Sequence, residues 1–225
     1  IFRTMDEAKL QELFAKFAEI KAGVVKETRF ESVGPIIGSE LKRKSVWAIA
    51  IALFFIVSYI SWAFRKVSYP VESWKYGIAA ILALAHDIIL PLGVFSALGH
   101  FYGVEIDSLF LTAILTVLGF SVHDTIVVFD RIRENLFKHV QIDFEATVNN
   151  SVNETIMRSI NTSLTTLLVL VALYLFGGES IRYFTLTLII GITVGTYSSI
   201  FVASPLLVDW HRFSAKAAVG KKARR

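Results

Sequence analysis

The chain has 225 residues and a formal net charge of +4. Hydrophobic residues make up 54% of it and the mean hydropathy is +0.59, which excludes an ordinary soluble domain. There is no cysteine, so disulfides and thiolate metal sites are excluded. The small positive excess calls for no nucleic acid as partner.

Residues 1–44 are the only part that reads as water-soluble. Thr4-Met5-Asp6-Glu7 has the spacing of a helix N-terminal capping box. Leu10, Leu13, Phe14 and Phe17 follow at helical spacing, and Gly23 can end that helix. The run VVKETRFESVG, 24–34, predicts a short strand and a turn. One helix and one strand cannot bury a core. Residues 1–44 therefore read as the end of an extracytoplasmic α+β domain. The chain opens on Ile1 rather than Met, inside a charged segment, so a longer protein is expected.

Five apolar blocks follow, at about 45–64, 76–99, 108–129, 158–176 and 183–208. Each is close to the roughly 20 residues that a helix needs to cross a bilayer. The expected fold is an all-α polytopic membrane protein, with a helix bundle over 45–208 and a basic tail over 209–225. The links 65–75 and 130–157 and the tail carry most of the Lys and Arg near the membrane, whereas 100–107 has none. Basic loops stay in the cytoplasm, so the C-terminus reads as cytoplasmic and residues 1–44 as external. Lys42-Arg43-Lys44 runs against this rule, which a large translocated upstream domain would explain.

Polar residues inside the blocks carry the functional signal. A charge at mid-bilayer costs roughly 2.5–3.5 kcal/mol on insertion scales, so it needs an interior position and a partner. Asp124 lies sixteen residues beyond Ser108, about 24 Å of helical rise into the third block. Thr112, Thr116, Gly119 and His123 recur three or four apart beside it, a stripe expected to face other helices. Arg158, Asn161 and Thr165 share one face at the start of the fourth block, with Arg158 near the expected depth of Asp124. An Asp124–Arg158 pair between neighbouring helices would lower the cost of both charges. His86-Asp87 falls near the middle of the second block, followed by Pro91. Asp124 then reads as a group that gains and loses a proton as helices shift, with His123 relaying the proton or orienting the acid. The alternative is a purely structural ion pair. His86 and His123 read as hydrogen-bonding residues rather than metal ligands, and no metal or cofactor is expected. Asp130, Arg131, Arg133 and Glu134 read as a solvated helix end, and Gly191, Gly195 and Ser199 as a line of small residues for helix packing.

GFSVHDTIVVFDRIREN, 119–135, resembles the fourth-helix signature of the SecF family of protein-export membrane proteins. ESVGPIIGSELKRK, ALAHDI and RSINTSLTTLLVLVALYLFGGESIR are similar to three further stretches of that family. The resemblance implies the SecF-like part of an RND-superfamily bundle of six helices, five of them in this chain. It implies a proton-motive-force-driven accessory of the Sec translocase, separate from SecD or fused to it. It also implies work with SecYEG, SecA, YajC and YidC on unfolded polypeptide at a bacterial or archaeal membrane. By position it assigns proton passage to Asp124 and Arg158. Relatives carry Asn where this chain has His123. The alternative is an RND-type proton-coupled exporter of small molecules or lipids. No phosphate-binding glycine loop is present, so an ATP-hydrolysing enzyme is not expected.

Overall fold

The computed structural model describes residues 35–64, 71–138 and 143–222. The helix expected from Thr4 and the strand over 24–34 lie outside the described residues. The chain divides into two compact units, Ile1–Ala48 and Ile49–Arg225. Helix α1, Pro35–Ala63, belongs to the first unit as far as Ala48. Proline suits a helix start because its missing N–H would have no helical acceptor there. In this first unit Glu40 and Lys44 pair at 2.8 Å, one turn apart on an exposed face.

The second unit holds the rest of α1 and four long helical segments. These are α2, Ser73–Tyr102; α3, Ser108–Phe137; α4, Phe144–Phe176; and a final segment. That segment runs from α5, Arg182–Ser198, through a π-helical turn, Ser199–Ala203, into α6, Ser204–Lys222. Among the described residues five helices are long and apolar enough to cross a membrane, and each overlaps one of the expected blocks. The helices outrun the blocks. Helix α4 begins at Phe144 rather than Arg158, and α3 continues to Phe137, so most of the link read at 130–157 is helix. Hydropathy misses these turns because their side chains are polar, while their backbone is helical.

Helices α2 and α3 form an antiparallel hairpin across residues 103–107. Gly103 closes α2 in the left-handed region at φ 70°, its N–H donating to the Gly99 carbonyl. Asp107 caps α3 by accepting from the Phe110 N–H at 2.8 Å. At the turn end Phe95 meets Phe110, with ring centres 4.7 Å apart. At the other end Tyr76 stacks on Phe64 at 5.3 Å and meets Phe129 edge-on at 5.4 Å.

Helices α3 and α5 make the most extensive contact in the bundle. Small residues on α5 allow it. A Cβ on Gly191 would lie 2.3 Å from a Val117 methyl, and one on Gly195 would lie 2.8 Å from the Ser121 Cβ. The line Gly191, Gly195 and Ser199, expected to serve helix packing, faces α3.

Tyr76 is fully buried, and its hydroxyl meets no partner among the described residues. A buried polar group without a hydrogen bond costs about 1–3 kcal/mol. Tyr76→Phe keeps both ring contacts and removes the hydroxyl. It should leave the melting temperature in detergent unchanged or raise it; a clear drop would show that the hydroxyl is bonded.

Candidate functional site: two buried carboxylates

Two aspartates lie inside the bundle. Asp124 is 8% exposed and Asp87 is 0% exposed. On α3 the buried face runs through Ser121, Asp124, Thr125 and Val128, at i, i+3, i+4 and i+7, so helical geometry turns Asp124 inward. Asp124 receives one hydrogen bond per oxygen. Ser159 of α4 donates to Oδ1 at 2.5 Å, and Ser199 of the π turn donates to Oδ2 at 2.5 Å. Hydroxyl donors to an ionised carboxylate form short, strong bonds. Two serines from two other helical segments therefore hold one acid inside the bundle.

Asp87 is held in the same way from α2. Its Oδ2 accepts from Ser121 of α3 and, at 2.7 Å, from Ser198 of α5. Its Oδ1 lies 3.0 Å from Nδ1 of His86, whose side chain is 32% exposed. Pro91, four residues on, has no N–H, so the Asp87 carbonyl lacks its ordinary helical donor. Asp87 is thus the polar centre of its helix in backbone and in side chain.

The two sites meet at adjacent residues. Ser198 binds Asp87 and Ser199 binds Asp124, where α5 passes into the π turn. Both serine hydroxyls also have an alternative acceptor one turn back: the Gly195 carbonyl at 3.2 Å for Ser198, and the Thr196 carbonyl at 3.0 Å for Ser199. Ser204 donates to the Ser199 carbonyl at 3.0 Å, which supports the widened turn. Single π turns of this kind recur at functional sites.

The other expected residues fall elsewhere. No ion pair joins Arg158 to Asp124, although Ser159 places that turn of α4 against Asp124. Arg158 is exposed and lines a cleft with Tyr59, Ile126, Asp130, Arg133 and Thr155. The stripe Thr112, Thr116, Gly119 and His123 is exposed and does not face the other described helices; Asn161 and Thr165 are exposed as well. The reason is angular. Successive helical residues turn by about 100°, so His123 points outward where Asp124 points inward. The hydroxyls of Thr116 and Thr165 donate to backbone carbonyls of their own helices.

The end of α3 is more than a solvated helix end. Asn135, 2% exposed, donates to Ser151 at 3.0 Å and to Glu154 at 2.9 Å. Arg131 bridges Glu134 and Glu154 at 2.5 Å each. These contacts tie α3 to the polar first half of α4. At the same end of the bundle Lys75 donates to Ser214, Arg133 donates to the Ala63 carbonyl, and Arg212 pairs with Glu145.

Residues 13–213 match the sequence profile of the family described as protein export membrane protein SecD/SecF, C-terminal. The chain belongs to the SecD/SecF C-terminal family. Two relatives and one solved structure show the extent of the likeness. The chain is 52% identical over 205 residues to the protein translocase subunit SecF of Thermobaculum terrenum, an alignment covering 91% of this chain and 62% of that one. It is 43% identical over 204 residues to the protein translocase subunit SecDF of Thermus thermophilus, covering 90% of this chain and 25% of that one. A solved structure described as a crystal structure of SecDF in super-membrane-facing form superposes with a TM-score of 0.73. There the identity is 38%, over 96% of this chain and 28% of that one. The chain therefore spans less than two thirds of the SecF relative and about a quarter of SecDF. Within this SecD/SecF bundle the serines escape a reading of the sequence. Ser121 is the one with a local signal, because it sits three residues before Asp124 and so shares its face.

Proposed function

We propose that this chain is the SecF-like part of a proton-driven accessory of the Sec translocase, in which Asp124 takes up and releases the driving proton. The buried Asp124 carboxylate between Ser159 and Ser199 is the observation that carries this reading. The names of the SecF and SecDF relatives supply the process it serves. They favour protein export over the small-molecule or lipid exporter.

In the present arrangement hydroxyls stabilise Asp124, and Arg158 faces a cleft one residue from Ser159. A rotation of α4 that exchanges Ser159 for Arg158 would replace a neutral donor with a cation, favouring the ionised acid. Protonation would favour the reverse. That exchange is a two-state packing change whose balance a proton sets. A proton crossing the membrane potential supplies about 2.3 kcal/mol per 100 mV, enough to bias such a choice.

SecD is the partner this reading requires, separate or fused. Thr116, His123, Arg158, Asn161 and Thr165 are exposed polar residues inside spans that would otherwise meet lipid, and a second helix bundle would cover them. The Thermus relative is named SecDF, in keeping with such a pairing. The topology has the basic end, with Lys75, Arg131, Arg133 and Arg212, in the cytoplasm. SecYEG, SecA, YajC and YidC complete the proposed assembly, with translocating polypeptide as cargo and no hydrolytic step in this chain. The test is export into vesicles carrying the complete protein, with and without an imposed proton gradient. The gradient should raise export several-fold and an uncoupler should abolish the rise. A rate indifferent to both would refute the proposal.

A further inference from the structure

We propose that Asp87 is a second proton-binding carboxylate of the bundle, coupled to Asp124 through the Ser198–Ser199 step. This rests on the proton role proposed for Asp124 and extends it to a residue that role does not use. Asp87 is more deeply buried than Asp124 and is surrounded as an acid would be for function rather than for packing. Three side chains from three helices converge on it: His86, Ser121 and Ser198. No guanidinium or ammonium is among these three side chains. The ionisable groups at this level of the bundle are His86 on its own helix, His123 and Asp124 on α3, Tyr197 on α5, and Arg158 on α4, next to the Ser159 that bonds Asp124. The π turn brings only hydroxyls, and the charges of α6 begin beyond it at Asp209. From α1, residues 49–63 bring no charge.

The proton step balances without a co-reactant. A proton arriving through the partly exposed His86 imidazole adds to the Asp87 carboxylate and makes a neutral acid. The Ser198 hydroxyl then turns its hydrogen from Asp87 Oδ2 to the Gly195 carbonyl, and rotation of the carboxyl group carries the new acid O–H from the His86 side to the Ser198 oxygen. Ser199 can make the same turn, from Asp124 to the Thr196 carbonyl. Both turns load carbonyls of the last α-helical turn, next to the π turn that Ser204 supports. Back-bonding of this kind bends helices. Protonation at one acid therefore changes the backbone that positions the hydroxyl of the other.

The test is infrared difference spectroscopy of the complete protein in lipid, titrated with pH and read at the carboxylic acid C=O stretch. The expected spectrum holds two titrating components. Asp124→Asn removes one. Asp87→Asn removes the other and moves the titration midpoint of the component that remains. Loss of the Asp124 component alone, with the spectrum of Asp87→Asn unchanged from the parent, overturns this proposal while leaving the role of Asp124 intact. Absence of any component sensitive to Asp124→Asn refutes the role of Asp124 itself. If Asp87→Asn fails to fold, Ser198→Ala serves instead. It keeps both acids and should shift both midpoints; an unshifted Asp124 midpoint shows that the two acids are not coupled.

Discussion

Asp124→Asn should abolish the response of protein export to the proton gradient while leaving membrane insertion and association with SecD intact. The substitution is nearly isosteric, so it opens no cavity of the kind that makes core truncations costly. The amide oxygen still accepts from one serine. The amide N–H₂ now faces the other, and that serine can accept because its own hydrogen has somewhere to go. For Ser199 the alternative is the Thr196 carbonyl at 3.0 Å. The site is thus rebuilt with both serine hydroxyls satisfied and one amide N–H left over, and the change in stability should stay within about 1–3 kcal/mol. What disappears is the group that can exchange a proton. The checks are export with and without a gradient, together with co-purification of SecD. An Asp124→Asn protein that still exports faster under a gradient would contradict the proposed role.

Gly191→Leu should have a large effect on stability, because it invades the close seam between α3 and α5. Even a Cβ would sit 2.3 Å from one Val117 methyl and 2.7 Å from the other. Val117 is fully buried, and its β-branched side chain has few rotamers to escape into. Helices α3 and α5 must move apart, and overpacking of this kind costs about 1–3 kcal/mol or more. The separation would also strain the hydroxyls that α5 and the π turn present to Asp87 and Asp124. The expected result is a marked fall in melting temperature in detergent. Gly191→Ala should fall less, and Val117→Ala should partly restore it, as contacting residues are coupled. An unchanged melting temperature for Gly191→Leu would mean that the seam is looser than its geometry.

The five spanning helices were legible because long apolar runs have few alternatives. The start of α4 was not, because Phe144-Glu145-Ala146-Thr147 and the turns after it hide a helix behind polar side chains. Their partners, Asn135 and Arg131, lie on a different helix. The match of Asp124 with the start of the fourth apolar block could be read by counting residues, and Ser159, next to Arg158, donates to Asp124. The azimuth could not. Sequence periodicity shows which residues share a face but not which face is inward, so the Thr112–His123 stripe was turned inward when it is exposed. The expected Asp124–Arg158 pair gave way to serines for a related reason. A basic residue announces itself in an apolar run, whereas Ser198 and Ser199 read as small packing residues. Only the register of α5 against α2 and α3 turns them into donors for two different acids.

Proton flux into proteoliposomes bearing the complete protein, under an imposed gradient, tests the central claim most directly. A buried acid that binds and releases the driving proton predicts a measurable flux for the parent protein and none for Asp124→Asn. Equal flux in the two would contradict it, and would leave Asp124 as a structural residue of the bundle.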